Sequence, residues 1–355
     1  MTEMTIQSLI SAISPLDEAA MAAARLRQDT LTKPRGSLGR LESLSIQVAG
    51  ITRQATPGIQ QKVVTVMVGD HGVVAEGVSA YPSEVTAQMV YNFLRGGAAI
   101  NVLSRLYGAR VVIVDMGVAT DLAPHPDLIV KKVAHGTANF AQGPAMSREQ
   151  AIQAIFAGAA VVESEIARGA DLFATGDMGI GNTTPSAAIA AALSGLPVAG
   201  FAGRGAGIDD AGLNHKISAI KRGLEANQPD SRDGLDVLAK VGGFEIGGLA
   251  GVILAAAAHR RPVVVDGFIS TAAAMIAVSL APQVRPYLIA AHRSQERGHD
   301  LMLEWLQVEP LLDLQMHLGE GTGAALAMSL VEAACRTLAE MATFSEAGVS
   351  DKAEE

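Results

Sequence analysis

Short β-branched segments alternate with longer helical patterns along most of this 355-residue chain. The first, KVVTVMVG at 62–69, is almost continuously apolar and runs into Gly69-Asp70. Such runs are typical of strands buried on both faces, as in a parallel sheet flanked by helices. Similar segments lie at 109–115, 170–176, 197–203, 261–267 and 285–291. We therefore predict a three-layer α/β/α fold with a mostly parallel, Rossmann-like sheet of about six strands.

Helical patterns at both ends of the chain fall outside this strand–helix alternation. One covers residues 14–53, and an Ala-rich pattern covers 323–341. Because neither has a strand partner in the pattern, we expect them to pack on each other. The predicted division is a small helical domain, made of 1–60 with 325–355, and a large α/β domain at 61–324.

Composition and charge limit the possible partners. The net charge is −9 and no block of Lys and Arg occurs, whereas binding of a nucleic-acid backbone needs a basic face. The single cysteine, Cys335, excludes an internal disulfide. The N-terminal segment lacks the features of a signal peptide, and the apolar runs are too short to span a membrane. These features predict a soluble, cytoplasmic protein with neither a nucleic-acid nor a membrane partner.

The segment GDMGIGNTTPSAAIAAAL, at 176–193, is the strongest indication of a ligand site. A predicted strand leads into glycines and hydroxyl residues at the start of a helix, where free amides and the helix dipole favour an anion such as a phosphate. The spacing matches neither the P-loop nor the dinucleotide fingerprint, and a Gly-rich turn with a Thr cap is the alternative. The predicted phosphate-binding residues are Gly176, Gly179, Ile180, Gly181, Asn182, Thr183 and Thr184.

Later strand ends supply polar side chains to the same predicted edge of the sheet. Arg204, after Gly203, and Lys216 could neutralise a phosphate, although either could be an ordinary surface charge. Asp266 could hold ribose hydroxyls or cap the next helix, and Ser294 could contact the ligand or cap a helix.

One carboxylate, Glu320, lies between glycines in HLGEGTGAAL, at the start of a helical pattern. The glycines would let a ligand approach closely, although an acid there could simply stabilise the helix N-terminus. No HExxH or G-x-S-x-G motif occurs, and His71, His292 and His299 are interpreted as hydrogen-bonded loop residues. The pattern offers no metal site.

Eight motifs, in order, resemble one family: TKPRGSLGRLE, GDHGVV, YPSEVTAQMV, GDMGIGNTT, GGFEIGGLAG, VVVDGFIST, AHRSQERGH and HLGEGTGAAL. This is the nicotinate-nucleotide:dimethylbenzimidazole phosphoribosyltransferase family, which acts in assembly of the lower ligand of cobalamin. The resemblance extends from about residue 30 to the TFSEAGVS segment near the C-terminus.

The resemblance implies that nicotinate mononucleotide and 5,6-dimethylbenzimidazole react to give α-ribazole 5′-phosphate and nicotinate. Glu320 corresponds to the family's general base, kept ionised by the helix end, and C1′ of the ribose inverts. The donor nitrogen is already cationic, so no metal or cofactor is expected. Related enzymes with another acceptor base, or a nucleotide-binding sensor without catalysis, remain alternatives.

The resemblance also implies further roles and a homodimer. Ala80, Gln88 and Met178 match positions lining the benzimidazole pocket, to which we add Tyr81 and Leu318. Asp177 is a second catalytic candidate, but the family has Glu at this position, so its shorter side chain weakens the expectation of a supporting role.

Overall fold

The computed structural model describes residues 5–205 and 207–350. All pairings in its six-stranded sheet are parallel, in the order β3-β2-β1-β4-β5-β6. The strands are β1 (Lys62–Gly69), β2 (Ala109–Gly117), β3 (Leu128–Val130), β4 (Leu172–Met178), β5 (Val263–Val265) and β6 (Leu288–Ala290). The predicted parallel α/β fold is confirmed.

Helices precede, connect and follow these strands. In chain order they are α1 (Ile6–Ser11), α2 (Glu18–Thr30), α3 (Arg40–Thr52), α4 (Glu84–Leu94), α5 (Ala99–Tyr107), α6 (Arg148–Ala167), α7 (Thr183–Ser194), α8 (Asp210–Asn227), α9 (Gly234–Val241), α10 (Phe244–Ala258), α11 (Phe268–Leu280), α12 (His299–Leu306), α13 (Thr322–Glu340) and α14 (Phe344–Ala347). Within the described residues, no helix is both long and apolar enough to cross a membrane.

One predicted strand is wrong and one strand was missed. The segment 197–203 contains a 3₁₀ turn, Val198–Gly200, because Pro197 and the small residues around it bury Val198 and Phe201 through a compact turn. The missed strand is β3, which has only three residues at the edge of the sheet. So short a segment carries too little periodicity to be recognised.

Side chains of β1 alternate between two apolar layers, which explains its continuous hydrophobicity. Val63 and Met67 belong to one cluster, with residues of α6, α10 and α11. Val64, Val66 and Val68 belong to another, with residues of α3, α5 and α13. Burial on both faces removes the polar alternation of a half-exposed strand.

The N-terminal helices contact the end of α13. Arg27 of α2 donates from Nε to the Leu338 carbonyl at 2.7 Å, and Ala24, Ala49 and Leu338 form a small buried cluster. Contrary to the expectation that it lacks a sheet partner, α13 also packs on the sheet, since Met328 lies in the same cluster as the β1 valines. The boundaries of the two domains stay a prediction.

Candidate active site

A cavity of about 910 Å³ lies at the carboxyl ends of the strands. Its wall comes from parts of segments 78–89, 177–183, 267–269, 292–296 and 315–320. This is where open parallel sheets bind ligands, and the volume is within the range for small-molecule pockets.

Many residues predicted from separate motifs meet in this cavity. Those lining it are Tyr81, Asp177, Met178, Gly179, Ile180, Gly181, Asn182, Thr183, Ser294, Leu318 and Glu320.

Glu320 is buried, with 6% of its surface exposed, and has a left-handed backbone with φ of 64°. Its Oε2 accepts a hydrogen bond from the Ile100 amide, in the first turn of α5, at 3.4 Å. Burial raises the pKa of Glu320, the charge of Asp266 adds to this, and the Ile100 amide opposes it. Desolvation outweighs the amide, so the helix end does not hold the pKa of Glu320 at its ordinary value.

Gly176 and Asp266 support the Glu320 loop from behind and do not line the cavity. A Cβ at Gly176 would lie 2.5 Å from the Glu320 carbonyl oxygen, so only glycine permits this approach. Asp266 accepts hydrogen bonds from the amides of Gly321 at 3.1 Å and Ala324 at 2.8 Å. These contacts hold the start of α13, whereas the predicted cap was for the next helix, α11, whose N-terminus has no side-chain cap hydrogen bond.

The Gly-rich loop after β4 leads into α7 along the cavity wall. The Ile180 amide donates to Thr86 Oγ1 at 3.1 Å, and the Asn182 and Thr184 amides bond within the loop. Among the described residues, the amides of Gly181 and Thr183 have no internal acceptor. Two amides at a helix N-terminus are thereby left free to bind an anion.

Lys216 lies directly behind this loop. Its Nζ donates to Thr183 Oγ1 at 2.7 Å, and the whole side chain is buried. Burial lowers the pKa of Lys216 to about 8, with the Glu296 carboxylate opposing the shift. Within the part of the chain that the structure describes, no carboxylate lies at bonding distance from the Lys216 ammonium, so this buried charge is a suitable partner for a phosphate.

Asp177 is buried in the same wall and accepts a hydrogen bond from Asn182 Nδ2 at 2.9 Å. Burial raises its pKa well above the ordinary value, and the charges of Asp266, Glu245 and Glu320 contribute. The carboxyl group is thus biased toward its neutral form.

Several predicted residues lie outside the cavity lining. Arg204 turns back on its own loop, donating to the Ile208 carbonyl at 3.0 Å and to Asp210. Ala80 is exposed beside the cavity mouth, and Gln88 is exposed on α4. Gly203 packs against Glu296, and Thr184 is buried within α7.

Other lining residues carried little sequence signal. Val85 and Met89 stand one helical turn apart on the inner face of α4, whereas Gln88 faces outward. Glu296 belongs to the AHRSQERGH motif but has no distinctive spacing. Gln315, Met316 and His317 were missed because irregular backbone leaves no periodic pattern.

The three histidines interpreted as hydrogen-bonded loop residues differ. His71 Nε2 lies 2.7 Å from Glu245 Oε1. Both ring nitrogens of His299 are bonded, but this residue begins α12 and does not lie in a loop. Burial disfavours the charged ring of His71, but the Glu245 carboxylate raises its pKa overall. For His292 the interpretation is wrong, since neither ring nitrogen has a hydrogen-bond partner within the described residues.

Comparison with known proteins agrees with these features. A family model described as phosphoribosyltransferase matches residues 13–349. A nicotinate-nucleotide–dimethylbenzimidazole phosphoribosyltransferase of Roseiflexus sp. (strain RS-1) is 64% identical over 98% of this chain and 99% of its own. One so named from Geobacter sulfurreducens is 58% identical over 96% of this chain and 97% of its own.

A solved structure is also closely similar. The crystal structure of nicotinate-nucleotide-dimethylbenzimidazole phosphoribosyltransferase from Thermus thermophilus is 49% identical, with a TM-score of 0.90. The match covers 95% of this chain and 100% of that one. The chain therefore belongs to the nicotinate-nucleotide:dimethylbenzimidazole phosphoribosyltransferase family, and it is an enzyme of the pentosyltransferase type.

Proposed function

We propose that this enzyme transfers the 5-phosphoribosyl group of nicotinate mononucleotide to 5,6-dimethylbenzimidazole. The products are α-ribazole 5′-phosphate and nicotinate. The names of the relatives support this donor and acceptor. One observation carries the proposal: the cavity that contains Glu320 also contains the free amides of Gly181 and Thr183, backed by Lys216.

The donor's phosphate binds at the start of α7. The free amides donate to phosphate oxygens, and Lys216, reached through a small shift from Thr183 Oγ1, supplies a positive charge. This contact directs the ribose toward the Glu320 side of the cavity. Ser294 lines the wall nearby and can donate its hydroxyl to the nucleotide.

The acceptor base binds against the apolar part of the lining. An aromatic ring can pack against the apolar side chains of Val85, Met89 and Met178. At the cavity's edge, about half of the surface of Tyr81 and of Leu318 is exposed. The contacts from Val85, Met89 and Met178 are apolar. Shape therefore selects the base more than polarity does.

Glu320 acts as the general base. Its carboxylate takes the proton from one benzimidazole nitrogen while the other nitrogen forms a bond to C1′. The bond from C1′ to the pyridinium nitrogen breaks, and its electron pair leaves with neutral-ring nicotinate. Attack opposite the leaving group inverts C1′ from β to α.

Neighbouring acids support this charge flow. Glu296 lines the cavity with Glu320, and positive charge on the pyridinium and the ribosyl group is favoured beside carboxylates. Asp177, biased toward its neutral form, can also donate a hydrogen bond that positions the donor. Nicotinate is an anion once released, so the Glu296 carboxylate favours its departure.

We also propose that the enzyme works as a homodimer in the cytoplasm. The family resemblance supports the dimer, and the enzyme name of the relatives fits the location. Sedimentation of the purified protein tests the dimer directly.

Product analysis tests the reaction. The protein is incubated with nicotinate mononucleotide and each of several bases: 5,6-dimethylbenzimidazole, benzimidazole, adenine and a phenol. We expect nicotinate release with the benzimidazoles and an α-anomeric product by proton NMR. A β-product would exclude single inversion, preference for adenine in competition would favour a different acceptor, and binding without nicotinate release would indicate a sensor.

A further inference from the structure

Three hydrogen bonds join two walls of the cavity through His299. The Ser294 amide donates to His299 Nδ1 at 2.9 Å. His299 Nε2 lies 2.9 Å from Thr271 Oγ1, and this hydroxyl donates to the Gly267 carbonyl at 2.8 Å. Gly267 and Ser294 line the cavity, whereas Thr271 and His299 are fully buried behind it.

The direction of each bond is determined by its donors. A backbone amide can only donate, so His299 Nδ1 must be the unprotonated nitrogen. The ring proton is then on Nε2 and is donated to Thr271, whose own proton goes to the Gly267 carbonyl. Burial, with the charges of His292 and Arg293, lowers the pKa of His299 to about 3, so the ring stays neutral.

These hydrogen bonds lie just beyond the carboxyl ends of β5 and β6, where the backbone pairing of the two strands stops. The β5–β6 ladder covers only three residue pairs and ends at Val265 and Ala290. One more backbone bond follows, from the Ala291 amide to the Val265 carbonyl at 2.9 Å. Beyond that point Gly267 and Ser294 diverge into separate loops, and His299, the first residue of α12, bridges them from behind.

We infer that His299 is a positioning residue that sets the separation of Gly267 and Ser294 and thereby the affinity for the nucleotide donor. The acceptor base binds against α4 and the 315–318 segment, which these bonds do not join. Loss of the bridge therefore weakens donor binding selectively. This inference rests on the proposed function.

Variants of Thr271 separate the bridge from general packing. Thr271→Val keeps the side-chain shape and removes the middle link, while Thr271→Ser retains the hydroxyl. We expect Thr271→Val to raise the Kd for nicotinate mononucleotide roughly tenfold by calorimetry, since the hydroxyl's hydrogen bonds to His299 and to Gly267 are both lost. Thr271→Ser should restore most of this, and the Kd for 5,6-dimethylbenzimidazole should change less than about twofold.

The positioning role would be overturned if Thr271→Val weakened the binding of donor and base equally. It would also be overturned if Thr271→Ser failed to restore donor affinity. His299→Asn, which retains an acceptor for the Ser294 amide, should bind the donor more tightly than His299→Leu. Calorimetry requires no turnover, so failure of the proposed reaction is distinguishable from failure of this inference.

The tautomer gives a test independent of any substrate. In ¹⁵N-histidine-labelled protein, His299 should show an unprotonated Nδ1 and a protonated Nε2, unchanged from about pH 5 to 9. His299→Asn identifies the signal by its loss. A charged ring, or averaging between tautomers, would contradict the proposed bond directions.

Discussion

The Glu320 carboxylate lies at the N-terminus of α5, where it accepts a hydrogen bond from the Ile100 amide. The residue adopts φ of 64°, between Gly319 at 85° and Gly321 at 91°. A glutamate in this region is uncommon, and such strain is found at functional sites. The Asp266 contacts to Gly321 and Ala324 hold the loop in place, so the acid is fixed before substrate binds.

Replacing Glu320 with glutamine should remove the general base while retaining the fold. The amide oxygen of Gln can still accept from Ile100, but it cannot take a proton. We expect kcat to fall roughly 10²–10⁴-fold with little change in melting temperature. Steady-state release of nicotinate measures kcat, and thermal unfolding measures the melting temperature.

Glu340→Gln, at the exposed end of α13, is the control and should retain activity. Near-normal turnover in Glu320→Gln would remove Glu320 from the mechanism.

The pH dependence of kcat/KM should report the raised pKa of Glu320. Only the ionised carboxylate accepts a proton, so activity falls as pH drops through this pKa. Because burial raises it, we expect the acid limb to lie above pH 4.5, the ordinary value for Glu. Rate measurements across that range test this.

A limb that belongs to the acceptor base shifts with benzimidazoles of different pKa, whereas the Glu320 limb does not. Persistence of the full limb in the residual rate of Glu320→Gln would assign it to another group.

Lys216→Met should weaken donor binding yet stabilise the fold. Loss of a charge-assisted hydrogen bond, about 1.5–3 kcal/mol, should raise the Kd for nicotinate mononucleotide roughly 10- to 100-fold. Burial lowers the pKa of Lys216 to about 8. Below that pH the unfolded state binds the proton more tightly, so removing the amine should raise the melting temperature near pH 7.

Lys221→Met, on the exposed face of α8, is the matched control. It should change neither the Kd for nicotinate mononucleotide nor the melting temperature. Unchanged donor affinity in Lys216→Met would exclude the lysine from the phosphate site.

Asp177→Asn should also stabilise the protein, in a pH-dependent way. The pKa of Asp177 is raised by burial and by neighbouring acids, so the fold favours its neutral form. The free energy of unfolding is therefore unaffected by this group at a pH below its ordinary pKa. It falls as the pH rises through the pKa that Asp177 has in the folded protein. The gain in melting temperature should therefore be larger at pH 8 than at pH 5.

The Asn side chain can still accept from Asn182, so that contact is retained. Glu304→Gln, an exposed control, should show no such trend. A lower melting temperature at pH 8 in Asp177→Asn would contradict burial of an uncompensated acid.

Local sequence determined the sheet and much of the candidate site. Buried strands need continuous β-branched residues, and the glycines after β4 and around Glu320 have few other uses, so both leave recognisable patterns. The phosphate loop and Glu320 were predicted from them and lie in one cavity, whereas Met178 was predicted from the family resemblance alone. β3 escaped because three edge residues carry no pattern.

Only the tertiary structure decided how each polar side chain is used. Asp266 caps the Glu320 loop, Arg204 bonds its own loop, and His299 bridges two strand ends, although all three follow similar Gly-containing motifs. These roles depend on partners 4 to 58 residues away in the chain. The ionisation of Glu320 depends likewise on burial. Distances and desolvation arise from packing, and no local pattern of residue types encodes them.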